Sequence, residues 1–286
     1  MPSSLKPVLL LLLVILLSAW GCDSRSSSEE NIAAAQEYID NDELNMAVIE
    51  LKNALQQAAD NARARRLLGE VYLTLGDAAS AQKELERAAK LGEDPNFTQP
   101  LLARALLNQH DYDGVLEIDP LQDQLLPAGK ATVHSARGMA LIAQNKLDDA
   151  GSEFEQGLAQ DAGSIEVLTG LGWLAATRQE PVQARQYLDR VFAIDPDYAK
   201  AWSLLGYIEN TGGNQEAALA AYNRAADSRY ANPMDVLSRI SLNISLGNLD
   251  TARTEIAALR KQGMLINLMD YLEGQVAYQE KNYKAA

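Results

Sequence analysis

Residues 201–207 read Ala-Trp-Ser-Leu-Leu-Gly-Tyr, and residues 215–225 read Gln-Glu-Ala-Ala-Leu-Ala-Ala-Tyr-Asn-Arg-Ala. Small residues stand in this stretch where two helices must touch, at Gly206, Ala218 and Ala225. Bulky residues beside them can fill the space around the contact: Trp202, Leu205 and Tyr222. Because protein interiors are close-packed, this arrangement predicts a helix-turn-helix unit whose two helices approach closely.

The small position of the first helix recurs along the whole chain. Its step is 34 residues, with one extra residue after the third copy. The positions are Ala35, Gly69, Ala103, Gly138, Gly172, Gly206, Ile240 and Gly274. A small residue that opens the second helix keeps the same register, at Ala47, Ala81, Ala150, Ala184, Ala218, Ala252 and Ala286. These two series predict eight repeats, and the eighth stops where its second helix should begin.

The order aromatic, Leu-Gly, Ala, aromatic, Ala within about 34 residues resembles the tetratricopeptide repeat (TPR). The resemblance implies an all-α fold, a right-handed α-solenoid of antiparallel helix pairs. Arrays of this kind normally finish with a polar capping helix, whereas this sequence stops within its eighth repeat. We therefore expect the chain to be the N-terminal part of a longer array.

The third repeat departs from the pattern. Thr98 is its expected N-cap, and Asp119-Pro120 should end its second helix early. We expect a loop over residues 125–129, and the extra residue of the series falls in the same region. The sequence thus predicts a kink between two sub-arrays, units 1–3 over residues 29–130 and units 4–8 over residues 131–286.

The first 28 residues carry signals for export. Lys6 precedes an uninterrupted apolar run over residues 8–17, which is too short to span a bilayer as a mature helix. The small-residue segment that ends in Cys22, the single cysteine, resembles the lipobox of bacterial lipoproteins. Residues 1–21 would then be a signal peptide, Cys22 the lipid attachment site, and residues 22–28 a polar tether. An ordinary secretory signal with an incidental Cys22 is the alternative.

Composition argues against several classes of function. The chain has 286 residues and a formal net charge of −14, so it lacks the basic field that attracts nucleic acid. No motif predicts a cofactor, a metal site or a catalytic centre. His110 and His134 lie in different repeats, and we expect both to be exposed. A protein partner is the natural expectation for such a chain.

The residue after each small position should face the concave groove, as it does in TPR proteins. Three consecutive repeats have an apolar or aromatic residue there, namely Met139, Trp173 and Tyr207. Trp and Tyr are frequent interface anchors, so this strip is the predicted partner-binding surface. Packing of the same side chains between repeats is the alternative explanation.

The export signal, the immediate start of repeats and two phrases together resemble one class of TPR lipoprotein. The phrases are Tyr-Ile-Asp-Asn-Asp-Glu-Leu at residues 38–44 and Ala-Val-Ile-Glu-Leu-Lys-Asn-Ala-Leu-Gln at residues 47–56. The class is the large lipoproteins of the PEP-CTERM/exosortase and exopolysaccharide systems of Gram-negative bacteria.

This resemblance implies a scaffold without enzymatic activity, lipid-anchored in the bacterial envelope and facing the periplasm. Asp23 favours the inner membrane over the outer. Two alternatives remain: an outer-membrane or pilus assembly lipoprotein, and the docking arm of an enzyme whose catalytic domain lies beyond residue 286.

Overall fold

The computed structural model describes residues 27–226, 232–261 and 266–281. These residues form fifteen α-helices and no β-strand. In chain order the helices are α1 Ser28–Asp40, α2 Leu44–Gln57, α3 Ala62–Thr74, α4 Ala78–Lys90, α5 Pro95–Asn108, α6 Tyr112–Glu117, α7 Pro127–Ala143, α8 Leu147–Gln160, α9 Ile165–Thr177, α10 Pro181–Ile194, α11 Ala199–Thr211, α12 Gln215–Ala225, α13 Pro233–Ser245, α14 Leu249–Lys261 and α15 Ile266–Gln279. Odd-numbered helices are the first, or A, helices of the repeats, and even-numbered helices are the second, or B, helices. The signal peptide and Cys22 lie outside the described residues.

The turn between the A and B helices is built in the same way in each repeat. One residue has a left-handed backbone there, and these residues follow the series of the small positions: Asp42, Gly76, His110, Asn145, Gln179, Gly213, Gly247 and Lys281. The amide after this residue donates to a carbonyl in the last turn of the A helix, as from Glu43 to Tyr38 at 2.8 Å. This is the Schellman arrangement, which satisfies helix-end carbonyls and reverses the chain.

The predicted close approach of A and B helices is present. A Cβ on Gly138 would lie 2.5 Å from the ring of Phe154, which is fully buried and also fills the space beside Gly170. The same arrangement recurs at Gly206, where a Cβ would lie 2.9 Å from the ring of Tyr222. Ile240 occupies this position in the seventh repeat, and there α13 and α14 pack less closely, as expected.

The helices stack so that the A helices form the inner side of the solenoid. Among the described helices, the A helices from α3 to α13 each pack on the B helix of their own repeat and on that of the preceding repeat. Successive A helices contact one another from α3 to α11 and again between α13 and α15, more extensively than any successive B helices do. The A side is therefore the shorter, concave side.

The third repeat is distorted as predicted, although its ends differ in detail. The second helix, α6, has six residues and ends before Asp119-Pro120. The expected N-cap at Thr98 is wrong, because Asp94 caps α5 and Thr98 is buried inside the helix. The expected loop is also wrong in part, because α7 already begins at Pro127, where a fixed φ suits the first helical turn. The division into two sub-arrays stays a prediction.

A buried polar cluster holds the distorted repeat against the fourth. Arg137 donates to Glu153 at 2.9 Å and to the carbonyl of Leu116 at 2.5 Å. The exposure expected for His134 is wrong: its side chain is 1% exposed, and its Nδ1 lies 2.8 Å from Glu153 Oε2. Helical spacing explains the burial, because His134 lies on the same face of α7 as Gly138 and meets α8.

Ionisation of Glu153 supports this cluster. Burial raises the pKa of Glu153, but hydrogen bonds from His134 and Arg137 outweigh burial and bring the pKa below its ordinary value. Because the pKa of Glu153 is lower in the folded chain, its ionised carboxylate stabilises the fold at pH values above the ordinary carboxyl pKa. This stabilisation is lost as the pH falls through the folded-state pKa.

We predict that Gly138→Ala lowers the free energy of unfolding by about 1–3 kcal/mol, because the ring of Phe154 cannot move away from the added methyl group. Gly151→Ala is the matched control on α8, since a Cβ there has ordinary contacts, the nearest at 3.6 Å. Because alanine has a higher helix propensity than glycine, Gly151→Ala should stabilise the chain by up to about 1 kcal/mol. Thermal unfolding followed by circular dichroism measures both.

The cost of Gly138→Ala should be smaller when it is measured against Phe154→Leu than against the parent chain, because the ring that meets the methyl group is then absent. Equal melting temperatures for Gly138→Ala and the parent chain would contradict the close-approach explanation.

Candidate functional site

A cavity of about 300 Å³ lies on the concave side, between α5 and the start of α13, and we call it the groove. Its walls come from A helices of consecutive repeats. On α7 and α9 the lining residues have helical spacing i, i+3, i+4 and i+7, so they form one face of each helix. They are Thr132, Ser135, Ala136 and Met139 on α7, and Glu166, Thr169, Gly170 and Trp173 on α9. Further lining residues are Arg104, Leu107 and Asn108 on α5, Lys200 and Ser203 on α11, and the two N-cap residues Tyr198 and Asn232.

The structure brings the predicted apolar strip together at this groove. Met139 and Trp173 are half-buried and line the cavity, and each also packs on a buried core cluster. Tyr207 does not line the cavity, but its ring lies 5.3 Å from that of Trp173, at an angle of 41°. Met139 and Trp173 thus pack between repeats and also present a surface to the groove, and the binding of a partner by the strip stays a prediction.

Three charged residues line the same groove on three different helices: Arg104 on α5, Glu166 on α9 and Lys200 on α11. Lys200 keeps much of its side chain in contact with solvent, yet the concave wall reduces the water around its ammonium group. This burial lowers the pKa of Lys200, the positive charge of Arg104 lowers it further, and Glu166 opposes both effects. Burial likewise raises the pKa of Tyr198.

A buried carboxylate fixes one end of the groove. Asp235 is 5% exposed and accepts a hydrogen bond from the hydroxyl of Ser203 at 2.6 Å, which links α11 to α13. Burial raises the pKa of Asp235, and the bond from Ser203 offsets part of that effect.

Sequence reasoning identified one groove position in each repeat and missed the others. Glu166 and Lys200 stand six residues before the small position, and Thr169 and Ser203 stand three before it. Extending the face of each A helix by two turns toward its N-terminus would have found all four.

A second hollow, of about 700 Å³, lies between α13 and α15. Ser241 and Gln275, the residues after the small positions of these repeats, line it together with the exposed Tyr271 and Tyr278. It shares the concave side with the groove, but the predicted strip does not reach it.

Neither histidine belongs to a metal centre or the groove. His110 lies in a turn with its Nδ1 3.0 Å from the hydroxyl of Tyr112, and His134 belongs to the buried cluster described above. Among the described residues, no group of three or more His, Cys, Asp or Glu side chains is placed to hold a metal ion. No described helix combines the length and the apolar character that crossing a bilayer requires.

Comparison with known proteins identifies the repeat. A family model described as "Tetratricopeptide repeat" matches residues 38–99 and 141–208. Cellulose synthase 2 operon protein C of Komagataeibacter xylinus is 30% identical over 158 residues, which are 54% of this chain. The match spans 11% of the length of that relative.

Two solved structures have the same architecture. A tetratricopeptide repeat protein from Parabacteroides merdae superposes with a TM-score of 0.55 at 15% identity, covering 87% of this chain and 98% of that protein. The protein pilF of Pseudomonas aeruginosa superposes with a TM-score of 0.50 at 19% identity, covering 76% and 97%. At these identities the likeness is one of fold.

We predict opposite effects of the two charged neighbours on the reactivity of Lys200 toward acetic anhydride at pH 8. Arg104→Gln removes a cation that lowers the pKa of Lys200, so the ammonium holds its proton more firmly and acetylation slows. Glu166→Gln removes an anion that raises that pKa, so acetylation speeds up.

Competitive labelling with mass spectrometry measures the acetylation rate of Lys200 against that of Lys146. Arg63→Gln, in the second repeat, is the control and should change nothing; equal effects of both groove substitutions would contradict the geometry.

These comparisons and the helix packing confirm the predicted fold class: the chain is an all-α solenoid, and residues 38–99 and 141–208 match the tetratricopeptide repeat.

Proposed function

We propose that this chain is a non-catalytic scaffold that holds an extended segment of a partner protein in the groove. The observation that carries the proposal is the continuous concave face of α5, α7, α9 and α11, with Met139 and Trp173 half-buried in it. A large apolar side chain that enters such a groove loses its contact with water and contributes about 2–3 kcal/mol. Tyr207 supports Trp173 from the side, so the indole is held in place before a partner arrives.

The proposal extends to the cellular setting. We infer that Cys22 carries a lipid, that residues 23–28 tether the array to a membrane of the bacterial envelope, and that the groove faces the periplasm. Asp23 favours the inner membrane. Similarity to a cellulose synthase operon protein supports the exopolysaccharide branch of the predicted family over the protein-sorting branch. The partner would then be another protein of the export apparatus.

Site-specific photocrosslinking in the cell of origin tests the groove. A benzophenone amino acid in place of Met139 should crosslink to one partner band, because that side chain lines the groove. The same group in place of Val182, which is 72% exposed on the B helix α10, is the matched control and should give no such band. Trp173→Ala with Tyr207→Ala should weaken the Met139 crosslink at least about tenfold, as expected for an interface anchor.

Fractionation of the same cells tests the anchor. Cys22→Ser, made with a cleavable secretory signal in place of residues 1–21, should move the chain from the membrane fraction to the soluble fraction, since the mature chain then has neither the apolar run nor a lipid. In the crosslinking experiment, a crosslink from Val182 with none from Met139 would place the partner on the convex side and overturn the groove assignment. In the fractionation experiment, membrane association unchanged by Cys22→Ser would overturn the anchor alone.

A further inference from the structure

Charge in the groove differs from charge in the rest of the chain. The formal net charge of the chain is −14, yet two cations and one carboxylate line the groove. Most arginines in the described ranges bond to a carboxylate or a carbonyl, as Arg137 and Arg178 do. Within those ranges Arg104, Glu166 and Lys200 make no hydrogen bond or salt bridge. The groove therefore presents positive charge with free hydrogen-bond donors to whatever enters it.

The two cations come from helices three repeats apart, α5 and α11, and point into one cavity. Like charges that share a concave wall repel each other, and Glu166 on α9, one of the two A helices between them, offsets only one of them. A carboxylate between Arg104 and Lys200 would relieve this repulsion. It would also form charge-assisted hydrogen bonds, which are the stronger class.

Apolar surface lies beside these charges. Leu107, Met139 and Trp173 line the same cavity, and Trp173 already packs against Tyr207. A platform for a sugar ring needs a freely exposed aromatic face, whereas Trp173 is half-buried with a ring beside it. A neutral glucan would also leave Arg104 and Lys200 unpaired. The combination of apolar floor and paired cations thus favours a peptide over an oligosaccharide.

We propose that the segment bound in the groove carries an aspartate or glutamate close to a large apolar or aromatic residue. The carboxylate lies against Arg104 and Lys200, and the apolar side chain lies on Met139 and Trp173. The acidic group is a side chain rather than a chain terminus, because the lining of the groove extends over four consecutive A helices, α5, α7, α9 and α11, along which an extended segment can lie. This specificity rests on the proposed function of the groove.

Selection from a random library of twelve-residue peptides tests the proposal, with both peptide ends fused to the display protein so that no terminal carboxylate is free. The full chain is the bait, beside three variants. Arg104→Gln with Lys200→Gln removes the groove cations, and Trp173→Ala removes the apolar wall. The matched control removes the same charge far from the groove, by Arg63→Gln with Lys90→Gln. Circular dichroism checks that every variant is folded.

Peptides selected on the parent chain and on the control should be enriched in Asp or Glu near Phe, Trp, Leu or Met. Acidic enrichment should disappear on Arg104→Gln with Lys200→Gln, while apolar enrichment remains. In fluorescence anisotropy with the best peptide, acid-to-amide replacement should raise the Kd about tenfold on the parent chain and leave it unchanged on that double variant.

The outcomes separate the two proposals. Peptides that depend on Trp173 but show no preference for acidic residues would overturn the acidic specificity and leave the groove function standing. No selection above the Trp173→Ala background would overturn both. Binding of a polygalacturonate oligosaccharide that depends on Arg104 and Lys200, with no peptide selected, would overturn the peptide in favour of an acidic polysaccharide.

Discussion

Close approach of the A and B helices is the constraint on which the rest of the solenoid depends. Phe154 shows it most clearly, because its ring occupies the space that side chains on Gly138 and Gly170 would need. Since most repeats present the same small surface to a large neighbour, their helix pairs stack in the same way and the A helices come to lie on the inner side. The groove is a consequence of that spacing.

Much of the fold could be predicted from the sequence, because a strict period of 34 residues acts on every repeat at once. The residues that were predicted wrongly lie where one local interaction overrides the period. Asp94, rather than Thr98, is the N-cap of α5, and α7 begins at Pro127, inside the predicted loop. The burial of His134 follows from its position four residues before Gly138, but its pairing with Glu153, nineteen residues away, does not follow from the repeat pattern.

The candidate site was only partly predictable for a similar reason. Met139 and Trp173 follow from the repeat register, and the structure places both at the groove. Arg104 follows from the same register, because it comes directly after Ala103. Its proximity to Lys200 did not follow, because the two residues come from different repeats and meet only when the solenoid curves. The packing residues of this chain keep the array in register, whereas the residues that distinguish it from other arrays lie on the concave face.

Recognition on the concave face can be measured by hydroxyl-radical footprinting of the full chain, with and without the crosslinked partner. Met139 and Trp173 should lose reactivity when the partner binds, while Met46, which is 40% exposed on the B helix α2, should not. Protection of B-helix side chains with Met139 and Trp173 still reactive would contradict recognition on the concave face, because recognition would then take place on the convex side.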